Sequence, residues 1–326
     1  MKRFILLGLL MCIATLADAQ NRKYMSSFSA VRAYYNPSFT GQEGSKLTTL
    51  YRNQWTGFED APKTIYAGAE FRLSDLKKSK GYQLNNQSQF TTDTQHHFGL
   101  FLFRDSFGPY SETKAQLNYS AGIHLSDKLQ LNWGGGLNYT LAALDGTKLT
   151  VDQESDPRYS NVLGQKNRSG KLDLDLGITL SADKFYIGYA MQDVTEGKVM
   201  RSGDEFTDAL YTRKHIGQAG FRTSITNDIG LVLNGLYQYD AQAEGTIEGQ
   251  LKGVYQNMLW AGVGYRKDLA FSATAGVRIN RLQLTYLYET PVADANTIDK
   301  PSNEITLAYQ LRPFKENHLL NRLQVW

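Results

Sequence analysis

Cysteine is nearly absent from this sequence: its 326 residues contain one thiol, Cys12. That residue lies in an N-terminal stretch where Lys2 and Arg3 precede an apolar core, Phe4 to Leu16. Ala17-Asp18-Ala19 follows, the small-x-small pattern of a cleavage site before Gln20. Residues 1–19 therefore read as a signal peptide, because the apolar core is too short to cross a membrane as a helix. A lipoprotein is disfavoured, since Cys12 follows Met11, where a small residue is expected, and sits inside the apolar core. The exported chain then has no thiol, which excludes disulfides and cysteine chemistry.

Long hydrophobic runs are also missing. Beyond the leader nothing approaches the ~18 apolar residues that a membrane helix needs. Charge of one sign is missing as well. Lys and Arg total 35 against 32 Asp and Glu, a net +3, so no case for a nucleic-acid or anionic-surface partner follows. Only 7 prolines occur, and no Pro- or Ser-rich linker divides the chain, so one all-β unit accounts for its length better than two domains.

Signatures of chemistry are equally sparse. His96, His97, His124, His215 and His318 lack metal-ligand spacing, and solvated or lumen-facing imidazoles explain them. His124 and His215 have no serine signature nearby, which disfavours a barrel lipase. Gly134-Gly135-Gly136 lies mid-strand with no helix or Lys-Ser/Thr after it, so it is no phosphate loop. Strand bending or close packing against an internal plug explains it instead. The acidic stretch Asp152–Tyr159 lacks the EF-hand pattern. No catalytic, metal or cofactor residue is assigned, and no enzymatic activity is expected.

What the chain does have is period-two alternation with turn residues between segments. Thr113, Ala115, Leu117, Tyr119, Ala121, Ile123 and Leu125 share one face, and Lys114, Gln116, Asn118, Ser120, Gly122 and His124 the other. The segment from Leu129 repeats this after the tight turn Asp127-Lys128. Strands are expected at 46–55, 64–73, 97–105, 111–126, 129–144, 170–181, 185–192, 212–224, 229–240, 245–255, 258–266, 268–279, 282–290 and 303–311. That makes about fourteen, the even number of a closed bacterial barrel.

Connections at one end are tight: Asp127-Lys128, Ala182 to Lys184, Ile225 to Asp228, Gln256-Asn257 and Asn280-Arg281. Those at the other end, 145–169, 193–211 and 290–302, are long and polar. Arg266-Lys267 is a short exception and Ser74–Gln95 a long one. The pattern matches periplasmic turns and outer loops. The expectation is an all-β, transmembrane antiparallel barrel at 46–311 in the outer membrane. It has a plug-like lead at 20–45 and a tail at 312–326. Asp173, Asp175, Glu248, Glu289 and Glu304 are expected to face the lumen, paired with Arg222, Lys252 and Arg278.

The opening stretch carries a resemblance. Tyr35-Asn36-Pro37 with Gly41, then Tyr51-Arg52-Asn53-Gln54-Trp55, Gly57-Phe58 and Ala61-Pro62-Lys63-Thr64 resemble the PorP/SprF family of outer-membrane proteins of the type IX secretion system. Gly99 to Phe103 with Gly108-Pro109-Tyr110, Tyr186-Ile187-Gly188, Gly264-Tyr265-Arg266 and Glu304 to Tyr309 look like its later landmarks. The resemblance implies a barrel without catalysis that assists secretion or surface attachment of exported proteins, including gliding adhesins. It also implies periplasmic partners linked to the secretion ring and peptidoglycan. The Ser74–Gln95 insertion and the Arg312–Trp326 tail depart from the pattern.

Asn36-Pro37 requires an extended residue and then a turn, which suits a chain folding back into a lumen. The alternative function is a fatty-acid-transporter-like barrel for hydrophobic small molecules, which needs a continuous apolar channel. Inward positions here carry Asn, Gln, Thr, Asp, Glu and Arg, which favours the secretion accessory. A general porin would conduct ions.

Overall fold

Backbone groups in lipid have no water to bond, so strands that cross a bilayer must pair along both edges. In the computed structural model, which describes residues 25–76, 94–149, 164–203, 212–240, 243–292 and 300–312, the alternating segments do so. They are β1 (Lys46–Asn53), β2 (Lys63–Arg72), β3 (Gln95–Phe107), β4 (Tyr110–Ser126), β5 (Leu129–Asp145), β6 (Lys166–Ala182), β7 (Phe185–Gln192) and β8 (Met200–Gly203). There follow β9 (Lys214–Ser224), β10 (Ile229–Asp240), β11 (Ala243–Tyr255), β12 (Leu259–Arg266), β13 (Ala270–Ile279), β14 (Leu282–Pro291) and β15 (Ser302–Gln310). Among the described residues, fourteen of these, all but β8, form a closed antiparallel barrel. The closing seam joins β1 to β15, with Lys46 opposite Gln310 and Arg52 opposite Glu304.

The expected strands are present with small differences at their ends. The alternation predicts a first strand reaching Trp55, but its ladder stops at Asn53 because Trp55 takes φ 50°, a turn conformation. β6 begins at Lys166 rather than 170, since Asn167 to Lys171 extend its ladder with β5. That polar stretch offers no apolar alternation to read. β8 was not expected. It adds four residues to β6, pairing Met200 with Leu172 and Gly203 with Ser169 where β7 has already ended. A strand of that length in a polar loop has no visible period.

The two faces separate as alternation requires. On β4 and β5, Leu117, Ile123, Leu125, Trp133 and Leu137 are exposed toward lipid, while Gln116, Asn118, Ser120, Asn132, Asn138 and Thr140 are buried inside. Aromatic rings sit near strand ends on the outer face, as in Tyr51, Tyr239, Tyr255, Tyr265, Tyr288 and Tyr309.

The interior differs from the expected polar lining in one respect. Leu50, Tyr66, Phe101, Phe103, Tyr186, Ile216 and Leu236 point inward and form an apolar core with Met25, Phe28, Val31, Ala33, Tyr35 and Phe39 of the segment before β1. Phe28 and Phe101 are wholly buried. Burying each such side chain contributes ~1.5–3 kcal/mol, so the lead is held largely by the hydrophobic effect.

The short turns 127–128, 183–184, 225–228, 256–258 and 280–281 lie at one end, together with the start of β1 and the end of β15. By the usual asymmetry of such barrels that end is periplasmic. The other end carries the connections at 54–62, 146–165 and 193–213, the last containing β8, together with the short links 108–109 and 267–269. The expected signal peptide, residues 77–93 of the 74–95 insertion, the Asp152–Tyr159 stretch and residues 313–326 of the tail lie outside the described residues.

Candidate functional site

The arrangement to explain is the lead crossing a barrel interior. At the outer rim Ser26 and Ser27 dock on charged groups from four strands. Glu304 of β15 accepts from the backbone N–H of Ser26 at 3.0 Å and of Ser27 at 2.7 Å. Ser26 Oγ donates to Glu289 of β14 and accepts from Arg52 of β1 at 2.7 Å and Arg266 of β12 at 2.8 Å. Arg52 also pairs with Glu289 at 2.6 Å and Glu304 at 3.5 Å, and Arg266 with Glu248 at 2.9 Å and Glu289 at 3.2 Å. Buried charges persist only when paired and hydrogen-bonded, and here the serines complete that pairing.

Midway, the chain makes the turn that its sequence dictates. Asn36 before a proline is extended, at φ −142° and ψ 110°, and caps a one-turn 3-10 helix, Pro37–Phe39. Its side-chain oxygen accepts from Ser38 N at 3.0 Å and Ser38 Oγ at 2.6 Å. Its amide donates to Thr179 Oγ1 and the Tyr189 carbonyl, both at 3.4 Å.

This turn rests on three inward glycines of adjacent strands: Gly134, Gly177 and Gly188. A Cβ at Gly134 would lie 2.5 Å from the Pro37 carbonyl carbon and 2.6 Å from Ser38 N. One at Gly177 would overlap Asn36 Oδ1, and one at Gly188 would lie 2.9 Å from Asn36 Nδ2. Glycine is needed where another backbone comes this close. Close packing against a plug is thus the role of Gly134.

At the periplasmic end Gly41 turns the chain at φ +69°. Its N–H donates to Glu70 at 2.8 Å and its carbonyl accepts from Arg72. A side chain there would strike His97, the nearest atom lying 2.6 Å away. Ser45 donates through N and Oγ to Asp75 at 3.1 and 2.9 Å. Glu43 pairs with Lys46 and Arg32. Burial pushes the Glu43 carboxyl up, but Lys46 and Arg32 outweigh it and hold it at about 2. Arg32 also lies over the Phe39 and Tyr186 rings, at 4.9 and 4.8 Å.

A second buried cluster gathers around the 193–197 turn. Asp173 accepts from Thr195 N and Oγ1, both at 2.8 Å, and from Gly197 N at 2.6 Å, drawing the 193–197 turn inward. Asp193 pairs with Lys171 and Lys214, and Asp175 with Lys114. Burial raises the Asp193 carboxyl, yet Lys114, Lys214 and Lys171 hold it well below the usual carboxylate range. Lys114 lies 5.6 Å from the Tyr34 ring of the lead.

The family model described as type IX secretion system membrane protein PorP/SprF matches residues 17–309. The chain belongs to the PorP/SprF family. A search of curated proteins finds no match. Similar solved structures include a FadL homologue of Pseudomonas aeruginosa, at 9% identity and TM-score 0.46, covering 86% of this chain and 94% of that one. The Ralstonia pickettii toluene transporter TbuX is similar at 10% identity and TM-score 0.45, covering 86% and 93%. Acinetobacter baumannii outer membrane protein Omp33 is similar at 9% and 0.43, covering 82% and 96%. Likenesses this distant carry no argument about ligands.

In this PorP/SprF outer-membrane barrel the signature residues divide into three groups. Tyr35, Asn36, Pro37, Gly41 and Arg52 lie in the lumen. Tyr51 points to lipid. Gln54, Trp55, Gly57, Ala61, Pro62 and Lys63 build the rim of the first hairpin, where Gln54 N donates to the Pro62 carbonyl and Trp55 packs edge-on to Phe58 and Phe107.

The carboxylates expected in the lumen are there, but their partners differ from the sequence reading. Arg52, Arg266 and Lys114 meet Glu304, Glu289, Glu248 and Asp175. Lys252 donates to Ser29 Oγ and Arg222 to the Asp183 carbonyl near a periplasmic turn. Alternation gives the face of a residue but not its height along the barrel, and height decides which charges meet. The sequence alone does not point to Ser26, Ser27, Gly177 or Glu43, and it marks Gly188 only within the Tyr186-Ile187-Gly188 landmark. Inward glycines recurring on adjacent strands would have been the signal for two of them.

Proposed function

We propose that this barrel is a non-enzymatic accessory of the type IX secretion system that assists secretion or surface attachment of exported proteins, gliding adhesins among them. The observation that supports this reading is the filled lumen. The lead and the 193–197 turn occupy it through a charged network and an apolar core, which suits a docking platform better than a conduit.

In this role the long connections of the outer rim contact the exported protein. The 74–95 and 312–326 segments meet periplasmic secretion or peptidoglycan-linked proteins. Transport of hydrophobic small molecules is less well supported, because a continuous apolar route would have to pass Arg52, Arg266 and the carboxylates around them.

Quantifying the surface proteome of a deletion strain tests the proposal. The expected result is loss of particular exported proteins from the surface, and an unchanged surface proteome would overturn it. Affinity isolation from gently solubilised outer membrane would then name the partner.

A further inference from the structure

Lysine and arginine are divided unevenly between the two faces of the barrel wall. Most turn inward, where Arg52, Arg266 and Lys114 meet carboxylates. Among the described residues of the fourteen barrel strands, the outward-facing cations are Lys63 of β2, Arg104 of β3, and Lys166 and Arg168 of β6. All are exposed, and all lie at the outer ends of their strands. Lys166 stands opposite Asp145 of β5, which leaves Lys63, Arg104 and Arg168.

Register gathers these three on one patch. Lys63, Ser106, Ser111, Ala143 and Arg168 are successive partners across β2 to β6, and the row below them is Ile65, Arg104, Thr113, Leu141 and Gly170. Neighbouring strands stand ~4.8 Å apart, so the upper row spans ~19 Å from Lys63 to Arg168. Arg104 is the diagonal neighbour of Lys63, and the hydroxyls of Ser106, Ser111 and Thr113 lie between the cations. Arg104 donates to Thr113 Oγ1 at 3.5 Å. Among the described residues none of the three cations pairs with a carboxylate. Glu59 and Asp60 belong to the connection above β2 and not to the strand face.

The patch sits at the height of lipid headgroups. Leu102, Leu117, Tyr139 and Leu174 lie below it, exposed toward lipid. On β2 and β3 the cation is the first outward side chain past Ile65 and Leu102, and on β6 only Gly170 separates Arg168 from Leu172. A cation on the lipid face is costly at the midplane and tolerated near the interface, where its long stem lies along apolar surface and its charge reaches the polar layer. Around the rest of the rim the outward ends are aromatic, as at Tyr51, Tyr189, Tyr239, Tyr265 and Tyr288. Side chains on the outward face project sideways into the plane of the membrane, so a lipid meets them before a protein above the rim does.

We propose that the β2–β6 side of the outer rim binds a phosphate-bearing lipid of the outer leaflet. Lys63, Arg104 and Arg168 hold its phosphates, the three hydroxyls add donors, and its acyl chains lie on the apolar face below. The lipid supplies the anionic charge that no described carboxylate gives these cations. This site is separate from the filled lumen and independent of the secretion role.

Native mass spectrometry of the full chain in detergent, titrated with diphosphoryl lipid A, tests this. Wild type is compared with Lys63→Gln/Arg104→Gln/Arg168→Gln and with Lys128→Gln/Lys184→Gln/Arg281→Gln, which makes the same change of charge at the periplasmic turns. The expected result is an affinity at least ten-fold weaker in the outer variant and unchanged in the periplasmic one, with lipid A stripped of its phosphates binding all three proteins alike. Equal affinity of wild type and outer variant, or equal losses in both variants, would overturn the proposal. Displacement of the lipid by millimolar inorganic phosphate would reveal a free-anion site and overturn the lipid assignment. An outer variant that keeps the lipid but sheds an exported protein from the cell surface would assign the patch to a protein instead. The pair Arg104→Gln/Arg168→Gln repeats the test if the triple variant does not fold.

Discussion

At the scale of single residues, two positions decide whether the lead seats. Gly134 faces a backbone rather than a flexible side chain, so a Cβ there cannot be accommodated by a rotamer change. Overpacking a filled interior costs ~1–3 kcal/mol. Gly134→Val is expected to unseat the Asn36–Phe39 turn while leaving the strands paired. Hydrogen exchange of the Ser38 and Thr40 amides should accelerate with no change at strand amides, and unchanged protection would refute the contact. Arg52 is the other position. Arg52→Ala leaves Glu289 and Glu304 without their closest guanidinium, and breaking a buried pair from one side costs ~3–5 kcal/mol. Its thermal midpoint in detergent should fall clearly, whereas Tyr51→Ala, on the lipid face of the same strand, should lower it much less.

Elements bring a different argument, because the lead and the 193–197 turn are short pieces with little structure of their own. Asp173 holds the turn through three hydrogen bonds to Thr195 and Gly197. Asp173→Ala should make the 193–203 segment the first site of limited proteolysis in detergent, and an unaltered cleavage pattern would show that the turn holds without it. The lead is tied at its other end by Glu43. Its carboxyl sits at about 2 in the folded chain against an ordinary 4.5. A depressed acid contributes stability that is fully present above the ordinary value and is lost as pH falls toward the folded one. Docking of the lead should therefore weaken between pH ~4.5 and ~2. Comparing wild type with Glu43→Gln isolates this step, because the variant should lack it while other carboxylates titrate alike in both.

For the whole molecule the consequence of a filled lumen is electrical. A porin of this size would conduct, whereas a barrel crossed by charged and apolar packing should pass little current in a planar bilayer. Removing residues 25–41 should raise conductance by an order of magnitude or more, if the lead is what fills the lumen. Equal conductance with and without it would place the block elsewhere, in the turn that Asp173 holds or in the outer connections.

The wall of this protein was legible in its sequence. Lipid outside and a different interior inside impose a period of two on every crossing strand, and the need to pair every edge makes closure follow from the count. The strands at 185–192 and 229–240 match residue for residue, and Asn36-Pro37 announced its own extended residue and turn.

The lumen was not legible in the same way. Ser26 meets Glu304 across 278 positions of sequence, and Arg52 finds Glu289 rather than Arg222 or Arg278 doing so because strand tilt and register set the height of each side chain. Alternation is a local property that each strand carries alone. Height, pairing and the direction of the lead depend on closing the sheet around a chain inside it, and only the tertiary structure decides them.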